Sequence, residues 1–222
     1  MRNGLFVLVF SLMGFLGGSQ AAWLPVNSPI SDQVPVASIE RESASSWQMN
    51  IVIPGFTLES FTENGQTFQR VSLPDELMAS ADGEAELPIL SRFLALRTDG
   101  DPRLEVVSEE WMDLDGTYEL APAMEDEHSR VLAPDYAMQD DYLPEISFEV
   151  TPRQIMGGVS LTTVLIRPAK YNPLQKRIRV LKSVELRVHE QGSALSNHRP
   201  ITETTASILR AVVPNWDAVS LS

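Results

Sequence analysis

The sequence predicts an all-β fold, an antiparallel β-sandwich or open barrel with long loops. Apolar residues recur at every second position of 177–189 except at Lys182, which puts them on one face of a strand but would scatter them around a helix. Asn64-Gly65 lies between two β-rich runs and is typical of a tight hairpin turn. The 15 prolines and 12 glycines favour many turns over long helices. About nine strand candidates, with turns every 8–12 residues, complete this pattern.

The stretch 171–190 carries the strongest strand signal. Its apolar face consists of Ile178, Val180, Val184, Leu186 and Val188. Its other face is expected to meet water and carries Arg177, Arg179, Glu185, Arg187 and His189. Lys182 interrupts the apolar face, which predicts a bulge. The turn at Asn172-Pro173 follows the β-branched run 159–167, so the two runs are predicted to form a hairpin on which the rest of the chain packs.

The N-terminal residues divide into a targeting segment and an arm. A basic start precedes the apolar run 5–16, and small residues lead up to Ala21. The run is shorter than the roughly 20 apolar residues that cross a membrane. Residues 1–21 are therefore predicted to be a signal peptide, and no membrane anchor is expected after its removal. The Pro- and Ser-rich stretch 22–46 predicts a flexible arm.

Residues 47–190 are predicted to form the β domain. The alternating run 47–53 predicts its first strand, and the runs 56–61 and 67–73 predict the arms of the hairpin. The acidic stretch 75–86 predicts a short helical turn or a loop.

Later parts of this domain show clear strand signals. The stretch 87–97 is apolar on both faces, which is typical of a strand in the middle of a sheet. The run 104–111 predicts another strand, 118–121 a short one, and 146–150 a further alternating one. Gly157-Gly158 then predicts a turn.

Two stretches lack such signals. Residues 122–144 show no sustained periodicity, and structureless loops of this length are often functional. Residues 191–222 have the composition of a linker, in which 207–213 predicts a short strand or the start of another element.

The charge of the chain limits the classes of partner. Its net charge is −13 and its isoelectric point is near 4.6. Nucleic-acid binding requires a basic surface, so this class is excluded, and adsorption to anionic lipid is disfavoured. The acidity is expected to keep the chain soluble, the alternative being a surface shaped for a basic partner.

The sequence contains no recognisable catalytic site. It has no cysteine, which excludes a thiol nucleophile, a cysteine zinc site and disulfides. Its histidines, at 128, 189 and 198, lack metal-binding spacing, and no G-x-S-x-G motif is present. His189 is predicted to lie on the surface, whereas His128 follows acidic residues that leave a metal site as an alternative.

Two acidic turns resemble calcium-binding loops. Asp99 and Asp101 form one pair, and Asp113 and Asp115 form the other. Calcium prefers clustered carboxylates, but Asp also favours turns without any metal. The simpler interpretation, turns without a cofactor, is preferred, and calcium at these four residues stays an alternative.

Two ordered motifs carry a family resemblance. Residues 83–92 (GEAELPILSR) precede an apolar strand, and residues 167–173 (RPAKYNP) precede a strand with an Ile-x-Val pattern. Their order and spacing resemble the N-terminal propeptides of gingipain-type cysteine peptidases, over about residues 47–190. Residues 118–122 and 142–144 fall where that family has Tyr- and Pro-rich segments. Residues 208–216 are similar to the segment that leads into the peptidase domain.

The resemblance implies a signal peptide, an all-β prodomain and a following peptidase domain, so that 191–222 would be the linker to a catalytic domain missing from this chain. The implied function is to keep the zymogen latent by covering its active site and to assist its folding. The partner would be the cognate cysteine peptidase domain, in cis or in trans. The chain itself is predicted not to be an enzyme, and the implied location is bacterial and secreted, periplasmic to extracellular.

The resemblance also implies site residues. In members that cut after a basic residue, a basic side chain on a prodomain loop occupies an acidic specificity pocket, a pairing that is charge-assisted. Arg130, in the stretch 122–144, is the candidate, and the alternative is that it only neutralises acidic neighbours. Sites of proteolytic removal are expected in exposed segments, at Arg41, Arg199 and Arg210.

A different class of function fits the composition equally well. A secreted, acidic, cysteine-free β-sandwich is also typical of a surface binding or adhesion module. Only the two ordered motifs favour the propeptide.

Overall fold

The computed structural model describes residues 20–123, 131–195 and 201–218. Within them the strands are Gln20–Pro25 (β1), Val36–Arg41 (β2), Ser46–Val52 (β3), Gly55–Glu63 (β4), Gln66–Ser72 (β5), Leu77–Met78 (β6), Pro88–Ala95 (β7), Arg103–Asp113 (β8), Phe148–Val150 (β9), Gln154–Met156 (β10), Val159–Ile166 (β11), Ala169–Asn172 (β12) and Arg177–His189 (β13). The helices are Pro134–Ala137 (α1) and Glu203–Val212 (α2), and a 3-10 turn covers Trp216–Ala218.

The described strands form three antiparallel sheets. The central sheet has the order β12-β13-β3-β2, and β8 also pairs with β13. The second sheet has the order β10-β11-β7-β6, with β9 also paired to β11, and the third has the order β1-β4-β5. Buried side chains from all three meet in one core, among them Met49, Phe56, Val71, Leu90 and Ile178. This architecture confirms the predicted all-β antiparallel fold.

Strand β13 lies in the middle of the central sheet. Its alternating apolar residues are at most 3% exposed and face the core. On the β8 side, Leu181 pairs with Trp111 and Ser183 with Glu110, so Lys182 is the extra residue of a bulge. This break in register turns Leu181 inward, where it is fully buried. The predicted bulge is confirmed.

The predicted hairpin between the run 159–167 and β13 is wrong. Strand β11 pairs with β7, β9 and β10 in the second sheet, whereas the hairpin partner of β13 is the four-residue strand β12. Pro168 separates β11 from β12, and proline has no N–H with which to continue a ladder. The chain therefore changes sheets at this proline, and β12 is too short to show alternation in the sequence.

The N-terminal stretch 22–46 is not an unpaired arm, so this prediction is wrong. Strand β1 pairs with β4, and β2 pairs with β3. Ala37 and Ile39 of β2 pack against the core, a two-residue period that the surrounding prolines and serines obscure. The domain thus begins well before residue 47. Most of the predicted signal peptide, residues 1–19, lies outside the described residues, and a cut after Ala21 would fall within β1.

The described residues 191–195 and 201–218 also contact the fold, beyond the predicted boundary at residue 190. The run 207–213 was predicted to be a short strand or the start of another element; residues 207–212 lie in helix α2, which excludes the strand. The hydroxyl of Thr202 caps this helix by accepting a hydrogen bond from the N–H of Thr205 at 3.2 Å. Leu209 and Val213, spaced for one helix face, form a second apolar cluster with residues of β7 and β11.

Several local predictions are confirmed. Asn64 and Gly65 have φ angles of 50° and 80°, the left-handed values that a two-residue hairpin turn requires. Strand β7 lies between β11 and β6, and β8 and β9 occupy the predicted runs. The stretch 118–121 forms only a single bridge, from Leu120 to Gln69. Among the described helices, none has the length and apolar character to cross a membrane.

Candidate contact surface

The stretch 122–144 is anchored to one turn at two points. The N–H of Ala123 donates to Glu84 O at 2.8 Å, and its carbonyl accepts from the N–H of Gly83 at 3.1 Å. The N–H of Ala133 donates to Gly83 O at 2.8 Å. Gly83 has a φ of +78°, and a Cβ there would lie 3.0 Å from the Cβ of Ala133, so this position favours glycine. The residues on both sides of 124–130 are therefore hydrogen-bonded to the same turn, at Gly83 and Glu84.

Tyr136 anchors the second half of this stretch from within. It lies on α1 and is only 6% exposed, in the core shared by the three sheets. Burial raises the pKa of its phenol to about 12, partly offset by a backbone hydrogen bond at Ala85. The hydroxyl is therefore neutral at physiological pH and acts as a structural group.

Strand β12 holds the same stretch near its C-terminal end. Tyr171 is fully buried, and its hydroxyl donates to Tyr118 O at 2.7 Å. Its backbone N–H donates to Leu143 O at 2.8 Å, and its carbonyl accepts from Leu143 N at 2.9 Å. Burial raises the pKa of the Tyr171 phenol. One residue thus binds both the beginning and the end of the stretch 118–144.

Asn172 completes this arrangement, which we call the clamp: Tyr171 and Asn172 with their partners Tyr118, Asp140 and Leu143. Asn172 is 2% exposed, and its Nδ2 donates to Asp140 Oδ1 at 3.0 Å. Gln175 Nε2 donates to the same oxygen at 2.5 Å. The Tyr-Asn-Pro motif therefore serves to fix the long stretch to the central sheet.

Two clefts border the described residues 131–144. One, of about 570 Å³, has Tyr136, Leu143, Glu84 and Glu145 in its wall. The other, of about 380 Å³, includes Val131 and Leu174. These two side chains are 66% and 49% exposed. Two exposed apolar side chains thus lie at the border of this cleft.

The other predicted site residues are placed as follows. Arg130 and His128, in 124–130, and Arg199, in 196–200, lie outside the described residues. Arg41 is exposed at the end of the paired strand β2, and its guanidinium donates to the carbonyls of Ser43 and Ala44. Arg210 is exposed in the last turn of α2. Both described arginines are thus exposed, Arg41 in a paired strand and Arg210 in a helix.

The four candidate calcium ligands serve other contacts. Asp99 Oδ1 accepts from Ser193 N at 2.7 Å, and Asp101 Oδ1 from Arg153 N at 2.8 Å. Asp113 pairs with Arg179 at 2.6 and 3.1 Å, and the carbonyl of Asp115 accepts from the Tyr118 hydroxyl. In the described part of the chain, no three His, Asp or Glu side chains are arranged to hold a metal ion.

His189 lies on the outward face of β13, as predicted. Its Nε2 is 2.7 Å from Glu105 Oε2, and Arg187 approaches the same carboxylate at 3.2 Å. Hydrogen bonds from His189 and Arg187 lower the pKa of Glu105. These groups belong to a row of exposed ion pairs between β13 and β8 rather than to a catalytic centre.

Sequence reasoning did not identify Tyr136 and Asn172 as anchoring residues. Tyr136 lies in a stretch without periodicity, where one buried tyrosine leaves no pattern. Asn172 was interpreted as turn chemistry alone, although its side chain also bonds Asp140, 32 residues away. The one sequence signal for this anchoring was that the Tyr-Asn-Pro motif occurs in the same chain as the Tyr- and Pro-rich segments 118–122 and 142–144.

Comparison with known sequences gives a consistent result. The Propeptide_C25 family model matches residues 31–215. Lys-gingipain of Porphyromonas gingivalis is 23% identical over 206 residues, which covers 87% of this chain and 12% of that protein. Lys-gingipain HG66 of the same species is 22% identical over 205 residues. The chain thus spans only 12% of the length of these curated relatives.

Comparison with solved structures supports the same fold. A structure on the zymogenic latency of gingipain K from P. gingivalis aligns with a TM-score of 0.68 at 18% identity, covering 78% of this chain and all of the other. A complex of the pro- and mature domains of P. gingivalis RgpB aligns with a TM-score of 0.68 at 21% identity, covering 82% and 97%. Because the family model covers most of the chain, including β2 and α2, the chain belongs to the Propeptide_C25 family.

Proposed function

We propose that this chain keeps a gingipain-type cysteine peptidase latent and assists its folding. The observation that carries the proposal is the extent of the likeness. The family match runs over 31–215, and the chain covers 100% and 97% of two solved gingipain-related chains. The likeness thus includes a whole domain, which favours a prodomain over an adhesion module that shares only the β-sandwich.

A latency domain must cover the catalytic cleft while its own surface stays in a fixed arrangement. The described residues 131–144 meet this requirement, because Tyr136 and the clamp hold them from two sides. Val131 and Leu174 offer apolar contact area beside this stretch. We therefore assign the peptidase contact to this surface, and the peptidase domain acts as partner in cis or in trans.

Arg130 is the residue we propose to enter the specificity pocket of the peptidase. A guanidinium pairs with a carboxylate through two parallel hydrogen bonds, a strong contact when water is excluded. Its place in the chain supports this role, since residues 124–130 connect two flanks that are fixed on Gly83.

We further propose that the chain itself hydrolyses no peptide bond. Membership of a propeptide family and the absence of cysteine from the sequence support this, since the nucleophile of a cysteine peptidase is a thiolate. Residues 1–21 and the bacterial gingipain relatives support export to the periplasm or beyond.

The test is a titration of residues 22–222 against the mature peptidase encoded downstream, or against Lys-gingipain where none follows. Stoichiometric loss of activity on a small chromogenic substrate is the expected result. Full activity in the presence of a large excess of folded chain would refute the latency role.

Arg130→Ala is expected to weaken inhibition by about 100-fold, since truncating one partner of a desolvated charge pair has effects of this order. The loss should appear as faster dissociation in a stopped-flow or surface-binding assay. Arg103→Ala, at an exposed position on β8, is the matched control and should inhibit like the wild type. Undiminished inhibition by Arg130→Ala would exclude Arg130 from the mechanism.

A further inference from the structure

The turn between β12 and β13 does more than reverse the chain. Besides the Tyr171 contacts, Lys176 O accepts from Tyr118 N at 2.8 Å, and Leu174 N donates to Gln139 O at 3.2 Å. The turn therefore contacts the stretch 118–144 near both of its ends. All of these contacts join segments that are far apart in the sequence.

The side chain of Asn172 makes two hydrogen bonds that hold this turn and its partner segment. Its Oδ1 accepts from Gln175 N at 2.8 Å, which closes the turn. Its Nδ2 donates to Asp140 Oδ1 at 3.0 Å, which holds the long stretch. Only an amide supplies a donor and an acceptor at these two places, because an ionised carboxylate has acceptors alone. Since Asn172 is 2% exposed, water cannot replace either bond.

We propose that Asn172, through Asp140, is a positioning residue for latency. By fixing the stretch 131–144 on the central sheet, it presents the peptidase-contacting surface in one arrangement. Asn172 itself is only 2% exposed, so its role is to position other residues and not to supply contact surface. The inference rests on the proposed latency function, which it deepens.

A positioning role has a kinetic signature. When an anchor outside the interface is lost, only a fraction of the molecules holds the binding-competent arrangement, and apparent affinity falls by that fraction. The deficit then appears in the association rate, whereas loss of a direct contact raises the dissociation rate. The two roles are thus separable by measuring both rates.

The hydrogen bond between residues 172 and 140 can be removed by one substitution and restored by a second one. Asn172→Asp replaces the donor by a carboxylate that faces Asp140, so one hydrogen bond becomes a repulsion. In the double variant with Asp140→Asn, the new amide N–H at 140 donates to the carboxylate at 172, whose other oxygen still accepts from Gln175 N. The side-chain amide of Gln175 must turn over so that its oxygen, instead of its nitrogen, faces the new donor. Asp140→Asn alone keeps an acceptor for Asn172 and should behave like the wild type.

Asn215→Asp is the matched control for a buried amide. Asn215 is 6% exposed, and its side chain bonds both the N–H and the carbonyl of Ala95 on β7. The isosteric change there should disturb folding to a similar degree. Since Asn215 bonds Ala95 of the second apolar cluster, whereas Tyr171 of the clamp lies in the first, inhibition per folded molecule should not change.

The experiment measures association and dissociation rates of each variant with the same peptidase, at a temperature where urea titration shows all of them folded. We expect Asn172→Asp to bind about tenfold more weakly, chiefly through slower association, and the double variant to return to within about threefold of the wild type. Wild-type affinity for Asn172→Asp, or no rescue, would overturn the positioning role and leave the latency function standing. Failure of the wild type to inhibit would overturn both.

Discussion

The hairpin of β12 and β13 holds distant parts of the chain in two different ways. At its turn, the clamp uses buried, mostly neutral hydrogen bonds, several of them to backbone groups. Along its outward face runs a charge ladder, consisting of the pairs Arg179–Asp113, Lys182–Glu110, Arg187–Glu105 and His189–Glu105. The ladder is largely exposed, whereas Tyr171 and Asn172 are almost completely buried.

The clamp and the charge ladder therefore have different roles. The clamp fixes the position of a segment, and the ladder affects solubility. A buried polar group that loses its partner carries the full cost of desolvation, so the clamp tolerates one arrangement only. An exposed ion pair exchanges easily with water and contributes little, typically between about 0 and 1 kcal/mol. The clamp is therefore expected to set where the contact surface lies, and the ladder to keep the edge strand β8 charged and soluble.

The largest effect is expected on the clamped side, from Tyr136→Ala. Removing this buried ring leaves a cavity under α1, and the free energy of unfolding should fall by about 3–5 kcal/mol. Urea titration followed by tryptophan fluorescence measures this loss. Tyr136→Phe keeps the ring and should lose only about 1 kcal/mol, so equal losses for the two variants would contradict the cavity argument.

The sequence was sufficient for much of the sheet structure, for a physical reason. Strands such as β3 and β13 bury one face and leave the other in water, so apolar and polar residues alternate along their sequence. The β4–β5 hairpin was predictable because its turn requires left-handed residues, and Asn64-Gly65 supplies them. Even the bulge at Lys182 was visible as a polar residue on an apolar face.

The errors have equally physical causes. The pairing of β11 was wrong because alternation shows that a strand exists but not which strand it pairs with. Helix α2 was not distinguished from a strand because its short apolar run fits both. The clamp was invisible because hydrogen bonds such as Asn172–Asp140 join residues far apart in the sequence.

A smaller effect is expected on the exposed side, from Arg179→Gln. Arg179 pairs with Asp113, and its guanidinium carbon lies 4.2 Å from the centre of the Tyr142 ring, next to the clamp. The loss should be below about 1 kcal/mol and should vanish at high salt, where exposed charges are screened. Lys182→Gln, which breaks the pair with Glu110, is the matched control without the ring contact.

The difference in stability between the wild type and Arg179→Gln is expected to depend on pH in a defined direction. The hydrogen bond from Arg179 lowers the pKa of Asp113, and burial offsets this only in part. The folded state therefore favours the charged form, so this contribution is present above the pKa of the unfolded chain and is lost as the pH falls through the lower folded pKa. The difference between wild type and Arg179→Gln should be constant from about pH 5 to 8 and shrink below about pH 4. A difference that grows on acidification would contradict this sign.

The smallest effect is expected from calcium. Asp99 and Asp101 already accept hydrogen bonds from the backbone N–H groups of Ser193 and Arg153, and Asp113 is paired with Arg179. Calcium prefers six to eight oxygen ligands, and among the described residues no three His, Asp or Glu side chains are arranged to hold a metal ion. Millimolar calcium should therefore leave the melting temperature unchanged in differential scanning calorimetry. A saturable rise in the wild type that is absent in Asp99→Asn would show that these turns bind the ion. They would then differ from the clamp, where hydrogen bonds within the chain suffice.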